Sequence, residues 1–301
     1  MKYFVVSDMH SFTSELKKAL KQAGFDKKNK NHTLIVCGDV FDRGSETVEM
    51  YKFLTSIPKS RCILVKGNHE SLYLDLLKKR FPDSYDFSNH TVDTFCHIAG
   101  YSAEIMTPEY WYKLNEDSPY EQIQQAWQEI LKEVKASKIT EWIKSSQWKD
   151  YYELDKYIFV HSFIPLYNHN KFIHYYFANP FVDLVYIDKW RTIKSREIIE
   201  GSTWGCPWKN YLAGLFEAEA KKGKILVCGH WHCNDFYIHL AGKMYEELEC
   251  YDIFRGRNII ALDACTARTR KVNVMIIKED YEAYYIKNGK ETKLEIVEEA
   301  L

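Results

Sequence analysis

The amino-acid sequence predicts an α/β fold in which helices cover a β-sheet, and three observations support this. Within residues 1–77, short apolar and β-branched runs alternate three times with helical patterns, a repetition that is typical of an α/β sheet. Polar motifs occupy the loops after the predicted strands, where open α/β sheets collect their ligands. The chain is also 46% hydrophobic over 301 residues, which is enough apolar material for a large core.

The individual elements are predicted from spacing and composition. The first three strands are Tyr3–Val6, Thr33–Cys37 and Cys62–Val65. The helices after them are indicated by apolar residues at helical spacing, namely Leu16 to Ala23 with Gly24 as a stop, Ser45–Ile57, and Leu72 to Leu77. Further strands are predicted at Tyr157–Val160, Ile225–Cys228, Ile259–Leu262 and Val272–Ile277, and Asn288-Gly289 predicts a hairpin turn between Tyr284–Lys287 and Lys293–Val297.

The organisation predicted is a single domain over residues 1–301 with two insertions. At about residues 80–155 the apolar positions Ile123, Trp127, Ile130 and Val134 follow helical spacing. This segment is interpreted as a helical cap with its own apolar seam rather than as a direct substrate platform. At about residues 166–222 the chain is rich in aromatic residues but weakly periodic, and the sequence assigns no structure to it.

Composition restricts the partners. The 41 basic and 42 acidic residues nearly cancel, so no broad field attracts nucleic acid or an anionic membrane, and any anion must be captured locally. No apolar run approaches the roughly 20 residues that span a bilayer, and a strand pattern begins directly after Lys2. The eight cysteines lack the spacing of metal or redox pairs. A cytoplasmic protein with reduced core thiols is therefore expected.

Four polar motifs at predicted strand ends carry the chemistry: Asp8-Met9-His10, residues 38–44, residues 67–70 and residues 229–232. A hydrolytic centre of two cations about 3.5–4 Å apart needs a shared carboxylate. Asp39 is the natural bridge, because Gly38 before it permits close backbone approach. Oxygen and nitrogen ligands together suit Mn²⁺, Fe²⁺ or Zn²⁺ better than Ca²⁺.

These motifs resemble those of the calcineurin-like metallophosphoesterases, and within them the serine/threonine phosphoprotein phosphatase group with its bacterial and phage relatives. The strings Gly-Asp-x-x-Asp-Arg-Gly at 38–44 and Gly-Asn-His-Glu at 67–70 carry the resemblance. It implies a β-sandwich flanked by helices that binds two divalent metal ions, Mn²⁺ first, with Fe or Zn²⁺ as alternatives. It also implies hydrolysis by a hydroxide that bridges these metals. The implied ligands are Asp8, His10 and Asp39 for the first metal, and Asp39, Asn68, His161 and His230 for the second.

The resemblance further implies that His69 is the general acid, that Asp42 orients it and that Arg43 binds the phosphate oxygens. Physical chemistry agrees with these roles. An imidazole protonates a leaving alkoxide near neutral pH, a neighbouring carboxylate keeps that imidazole protonated, and a planar guanidinium holds two phosphoryl oxygens at once.

Two departures from the phosphoprotein phosphatase pattern leave alternatives open. Residues 229–232 read Gly-His-Trp-His, so His232 is either an extra ligand of the first metal or a nearby histidine. No flanking motif identifies a second phosphate-binding arginine. Arg191 beside Trp190 is a candidate, and a surface salt bridge is the alternative that the sequence favours.

The leading functional prediction is hydrolysis of phosphate monoesters, on a phosphoprotein or a small molecule. A phosphodiesterase or dinucleoside polyphosphate hydrolase is the alternative, prompted by His232 and by a basic cluster that a solvated loop face would also explain. The cluster comprises Arg255, Arg257, Arg268, Arg270 and Lys271. A third hypothesis is a catalytically inactive scaffold. No membrane partner is expected, nucleic acid is disfavoured, and the oligomeric state is not predicted.

Overall fold

The computed structural model describes residues 1–115, 118–244 and 250–297. Its strands are β1 Lys2–Val6, β2 His32–Cys37, β3 Cys62–Val65, β4 Trp148–Lys149, β5 Tyr152–Leu154, β6 Tyr157–Phe159, β7 Leu166–Asn168, β8 Leu184–Tyr186, β9 Ile225–Cys228, β10 Phe254–Arg255, β11 Ile259–Ala261, β12 Met275–Ile277, β13 Ala283–Lys287 and β14 Lys290–Lys293. Its helices are α1 Thr13–Gln22, α2 Thr47–Thr55, α3 Asn68–Leu76, α4 Ser84–Ser88, α5 Thr91–Ala99, α6 Pro108–Lys113, α7 Pro119–Ala136, α8 Lys138–Ile143, α9 Arg196–Ser202, α10 Pro207–Leu212, α11 Glu217–Ala220, α12 Cys233–Ala241 and α13 Thr266–Thr269. Short 3₁₀ turns lie at Lys59–Arg61, Ala103–Met106 and Trp190–Thr192.

Two sheets face each other in a sandwich. The larger sheet has the order β14-β13-β12-β1-β2-β3-β4, and the smaller has the order β10-β11-β9-β6-β5. Strands β1 to β4 are parallel to one another, as are β6, β9 and β11. Helices cover the outer faces of both sheets, which confirms the predicted α/β sandwich flanked by helices. Because parallel strands share a direction, the loops at their carboxyl ends gather at one edge of each sheet.

The alternation of side chains along the strands divides the core into three apolar layers. Val5 and Ile35 point between the sheets, where they join a cluster with Phe159 and Val227 of the smaller sheet. Their neighbours on the same strands, such as Val36, point to the opposite face and pack under the helices. This period of two is what a strand buried on both faces requires. The two sheets are thereby fixed relative to each other just below their ligand-collecting loops.

The segment at residues 80–155 contains α4 to α8 and ends in β4 and β5. Ile123, Trp127, Ile130 and Val134 of α7 are buried, as the helical spacing predicted. They share one apolar cluster with Leu34 of β2, so the seam continues the core of the larger sheet. The cap is therefore packed firmly onto the sandwich.

The segment at residues 166–222, which the sequence left unassigned, begins with the hairpin of β7 and β8 and continues through α9 to α11. Its large side chains Trp190, Trp208 and Phe216 are buried against Leu226 of β9. This segment covers the outer face of the smaller sheet, as the helices do on the larger one.

Two predicted strand boundaries are wrong. Only Met275–Ile277 of the predicted strand 272–277 is a strand, although Val272 and Val274 are buried. The apolar pattern at residues 272–274 therefore indicates that these side chains are buried, and it does not indicate that the backbone pairs in a strand. In the final hairpin Lys287 pairs with Lys290 across the two-residue turn, so the returning strand is Lys290–Lys293 and not 293–297.

All eight cysteine thiols are free, and six of them are buried. Within the described residues, none of the helices combines the length and apolarity that crossing a bilayer would take.

Candidate metal centre

The centre forms where five strands end. Asp8, Asp39 and Asn68 follow the adjacent parallel strands β1, β2 and β3, while His161 and His230 follow β6 and β9 of the facing sheet. The strand registers bring these exits to one edge of the sandwich. Residues that are distant in sequence are therefore close in space because of sheet topology alone.

The backbone of these loops is unusual. Asp8, His10, Asp39, Asp42 and His230 all have left-handed φ angles, of 54°, 48°, 52°, 73° and 66°. Only a few per cent of non-glycine residues adopt this region, and it persists where the surrounding structure enforces it. Here it turns the chain sharply as each strand ends, which directs these polar side chains into a common space.

Two glycines permit the close approach of loops. Gly38 has a φ of 84°, and a Cβ atom on it would lie 2.7 Å from Cα of Gly67. This matches the expectation from the sequence that a side chain at Gly38 would obstruct the backbone. At Gly229, a Cβ atom would overlap the Asp8 carboxylate. A side chain at either position would separate the loops that carry the donors.

Asp39 occupies the middle of the centre. Its Oδ1 lies 3.3 Å from Nε2 of His161, and its Oδ2 lies 3.8 Å from Nε2 of His10 and 3.8 Å from Nε2 of His69. Two sets of metal-binding donors therefore share this carboxylate. One is His10, Asp39 and His69, the other is Asp39, His161 and His230, and within each set the donor atoms lie within 4.8 Å of one another.

The histidines are oriented as metal ligands require. Nδ1–H of His10 donates to the carbonyl oxygen of Phe41 at 2.9 Å, and Nδ1–H of His161 donates to that of Cys37 at 2.9 Å. These bonds leave Nε2 of each ring free to bind a cation. Nε2 of His161 lies 2.7 Å from Oδ1 of Asn68, so both atoms face the same point.

The buried groups fit a divalent cation. Nε2 of His230 is buried and has no hydrogen-bond partner, which is costly unless a ligand occupies the site. Burial lowers the pKa of His230 and of His10 well below the usual value. Neutral imidazole is the form that binds metals, so both rings are held in the required state.

Asp8 adds a second buried carboxylate. It accepts a hydrogen bond from the Ser7 hydroxyl, and the backbone N–H of His230 donates to it at 3.1 Å. Burial raises its pKa well above the usual value, and the nearby carboxylates of Asp263 and Asp39 raise it further. Carboxylates crowded in this way repel one another until a cation neutralises them.

His69 and Asp42 form a closely bonded pair. Nδ1–H of His69 donates to Oδ2 of Asp42 at 2.6 Å, while the hydroxyls of Thr94 and Thr91 donate to Oδ1 and Oδ2 of Asp42 at 2.6 Å and 2.9 Å. Burial alone would lower the pKa of His69, but the carboxylates of Asp39 and Asp42 outweigh it and raise this pKa. Nη2 of the exposed Arg43 lies 3.5 Å from Nε2 of His69. A proton donor and a cationic group thus face the same space.

These groups open into a cavity of about 610 Å³. The candidate site residues that line it are Asp8, His10, Asp39, Arg43, Asn68, His69, His230 and His232. Asp42 and His161 lie behind them and touch them through the hydrogen bonds given above. The structure therefore brings together every candidate residue from the sequence except Arg191.

Comparison with known proteins decides the family. The calcineurin-like phosphoesterase family model matches residues 1–234, more than three quarters of the chain. The chain belongs to the calcineurin-like phosphoesterases. It is accordingly a metallophosphoesterase, a hydrolase of phosphoric esters, as the motifs indicated. A search of the curated proteins found no match.

Solved structures share the fold. One is the cold-active protein-tyrosine phosphatase of a psychrophilic Shewanella species, with a TM-score of 0.55 and 13% identity over 98% of this chain and 80% of that chain. Another is a cold-active protein tyrosine phosphatase, with a TM-score of 0.54 and 15% identity over 98% of this chain and 79% of that chain. At these identities the likeness concerns the fold alone.

His232 and Arg191, whose roles the sequence left open, lie in different parts of the phosphoesterase. His232 lines the cavity with 39% of its side chain exposed, and its Nε2 lies 3.9 Å from Oδ2 of Asp263. It belongs to neither of the two donor sets. Arg191 lies away from the cavity, where its guanidinium pairs with Glu153 and Glu219 and stacks over Trp190. The structure therefore gives Arg191 the salt-bridge position that was the alternative.

The basic cluster that prompted the diesterase alternative also lies outside this cavity. Arg270 stacks over Phe12, and Lys271 pairs with Asp252. Contacts within the protein therefore explain the positions of two of the five basic side chains in this cluster.

Sequence reasoning missed several residues that hold the site in place. Glu70 accepts three backbone N–H groups, from Val40 at 2.9 Å, Asp39 at 3.1 Å and Gly67 at 2.8 Å. Burial, followed by the charge of Asp39, raises its pKa to about 7. Its carboxylate ties the loop after β2 to the loop after β3. The signal was present, because Glu70 directly follows Asn68 and His69.

Asp263 was missed as well, although it directly follows a strand that the sequence predicted at 259–262. Its Oδ1 accepts the backbone N–H of Cys265 at 2.7 Å, and its charge acts on Asp8. A search for acids at every strand end would have found it. Thr91 and Thr94 had no such signal, because the sequence does not show which face of α5 meets Asp42.

Proposed function

We propose that this metallophosphoesterase hydrolyses phosphate monoesters at a centre of two divalent cations that share Asp39, with Mn²⁺ as the first choice. The observation that carries the proposal is the position of Asp39. Its two carboxylate oxygens face separate sets of imidazoles. A carboxylate that faces two donor sets is what a paired-cation centre requires.

The proposed ligands combine the two donor sets with the family resemblance. Asp8 replaces His69 in the first set, because Asp42 holds the ring of His69 for proton transfer. The first cation takes Asp8, His10 and Asp39, with His232 as a possible additional ligand. The second takes Asp39, Asn68, His161 and His230. Support comes from the Nδ1 bonds of His10 and His161, which direct Nε2 of both rings at the centre, and from the unpartnered Nε2 of His230. The mixture of oxygen and nitrogen donors suits a borderline divalent ion.

The bound cations would neutralise charge on the phosphoryl oxygens and lower the pKa of a water molecule for attack. The chain itself supplies binding and proton transfer. Arg43 holds phosphoryl oxygens through its planar guanidinium. Nε2–H of His69 delivers a proton to the departing alkoxide. Asp42 holds Nδ1 of His69 and keeps the ring protonated until that step.

The test is Asp39→Asn, measured by metal content and by Mn²⁺-dependent turnover of p-nitrophenyl phosphate. Loss of one carboxylate charge at the shared position should remove both bound metals and abolish turnover. Asp235→Asn is the matched control, since Asp235 lines the same cavity but belongs to neither donor set. Turnover and metal binding that survive in Asp39→Asn would show that the bridge is assigned incorrectly.

A phosphodiesterase or dinucleoside polyphosphate hydrolase is the second candidate, and the position of His232 on the cavity wall favours it. Turnover of p-nitrophenyl phosphate should exceed that of its bis ester and of diadenosine tetraphosphate. A strong preference for either of the latter two would make the second candidate the better one.

A further inference from the structure

Beyond the donor groups, the cavity is bordered by aromatic rings that the chemistry proposed above does not use. Tyr85 comes from α4 of the cap, and Tyr176, Phe177 and Trp204 come from the aromatic-rich segment. Trp231 directly follows the candidate ligand His230. Both segments that interrupt the sandwich thus contribute rings to one wall. We call these five residues the aromatic wall.

The aromatic wall begins at the candidate ligands and extends outward. The ring of Trp204 stands edge-on to the imidazole of His230 at a centroid distance of 6.2 Å. The ring centroid of Tyr85 lies 6.3 Å from that of Trp204, and the two ring planes meet at 36°. Trp231, the residue after His230, stacks with Tyr176 at a centroid distance of 5.8 Å and an angle of 23° between the ring planes. A phosphoryl group bound at the proposed metal centre would therefore have ring faces within reach of its leaving group.

Much of this aromatic surface is open to solvent. The exposed fractions are 75% for Phe177, 48% for Tyr85 and 42% for Tyr176. Contiguous exposed apolar surface of this kind commonly marks a binding site. The cavity of about 610 Å³ falls in the range that encloses whole small ligands. The short aliphatic leaving group of a phosphoserine would leave these ring faces against water.

We propose that the aromatic wall stacks on a planar aromatic ring in the leaving group of the phosphate monoester, supplied by a nucleobase or by a tyrosyl ring. The inference rests on the proposed monoester hydrolysis, because it takes the phosphoryl group to be bound at the donor sets. Stacking on aromatic side chains tolerates any flat ring and gains from burial of both faces. The wall therefore selects substrates, whereas the donor sets perform the reaction.

The first test compares adenosine 5′-monophosphate with ribose 5-phosphate, which have the same leaving alkoxide and differ only in the base. The base should raise kcat/KM by roughly five- to hundredfold, the range expected for one stacked base. Trp204→Leu should reduce this ratio toward one. Phe181→Leu is the matched control, because Phe181 is an aromatic residue of the same segment that is 69% exposed but does not line the cavity. It should leave the ratio unchanged.

A second variant covers the case in which Trp204→Leu fails to fold. Phe177→Ser changes a residue that is already 75% exposed, so the fold should tolerate it, and the ratio should again fall. Benzyl phosphate and cyclohexylmethyl phosphate form a second matched pair, with a flat and a puckered ring on similar alkoxides. A preference confined to this pair shows that the wall accepts a ring of phenyl size, the size of a tyrosyl ring, and one confined to the adenosine pair identifies a nucleobase.

Equal kcat/KM within both pairs, in an enzyme that turns over ribose 5-phosphate, would overturn the proposal and leave the monoester function intact. Absence of metal-dependent turnover of every monoester would instead overturn the proposed function itself.

Discussion

The two sides of the candidate active-site cavity are built on opposite principles. On the strand-end side, Asp39, Asp42 and His69 are at most 3% exposed, and each is held by short polar contacts. On the aromatic side, Tyr85 and Phe177 are 48% and 75% exposed. The strand-end side is held in place by contacts within the protein, whereas the aromatic side exposes apolar surface that a ligand can cover.

This difference divides the work of the phosphoesterase. Groups that must meet a developing charge gain most when they are positioned in advance and shielded from water. Exposed ring faces contribute most to the free energy of binding when a ligand covers them and removes them from water. Substitutions on the strand-end side should therefore change turnover by a similar factor for monoesters that share the same leaving alkoxide, whether or not they carry a ring. Substitutions on the aromatic side should change it only for substrates that carry a ring.

Among variants that keep the metals, the largest effect should come from His69→Asn, which removes the proposed proton donor from the strand-end side. Turnover of ribose 5-phosphate and of adenosine 5′-monophosphate should fall together by about 10²–10⁴-fold, the usual contribution of general acid catalysis. Metal content should stay unchanged. The loss should be smaller with p-nitrophenyl phosphate, whose leaving group needs less protonation.

His90→Asn is the control for this prediction, because His90 is an exposed histidine with a left-handed φ of 60° that asparagine tolerates. A loss in His69→Asn that differs between ribose 5-phosphate and adenosine 5′-monophosphate would contradict the division between the two sides.

A smaller effect is expected from Asp42→Asn, roughly tenfold to hundredfold, as when a carboxylate that orients a functional histidine is lost. The pH profile gives a sharper readout. The acid form of His69 is present below its pKa and is lost as the pH rises through it. Without the negative charge of Asp42 this pKa falls, so the alkaline limb of the profile should move to lower pH. If the alkaline limb of the profile stays at the same pH in Asp42→Asn, a group other than His69 is responsible for it.

The two arginines provide the smallest effects. Arg43→Met should lower kcat/KM about tenfold for all monoesters. This is the lower end of the about 1.5–3 kcal/mol that hydrogen bonds to charged groups contribute, because Arg43 is exposed. Arg191→Met should leave kcat/KM within about twofold, because ion pairs far from a reaction affect mainly stability. Steady-state kinetics on ribose 5-phosphate measures both. Equal losses would return Arg191 to the role of phosphate ligand that the sequence suggested.

The strand-end side was largely predictable from sequence, and the aromatic side was not. Asp8, Asp39 and Asn68 each follow a continuous apolar run, so local pattern and sheet topology together place them. The rings of Tyr85, Phe177 and Trp204 come from segments whose positions depend on packing between distant elements. Their local periodicity carries no information about which side chains meet.

The same limit explains the smaller errors. Val272 and Val274 were predicted to lie in a strand because apolar side chains were required there, but packing under the helices satisfies that requirement too. Thr91 and Thr94 orient Asp42 from a helix of the cap. Their part in the site appears only when that helix is docked. Spacing within a segment predicts its burial, and contacts between segments need the assembled fold.

The hydrogen bond from the backbone of His230 to Asp8 joins positions 222 residues apart. A ribosome releases β1 to β3 long before β9, so the nascent chain carries Asp8, Asp39 and Asn68 for many seconds without their later partners. The proposed metal centre, which uses His230, can therefore be completed only after that residue has left the ribosome.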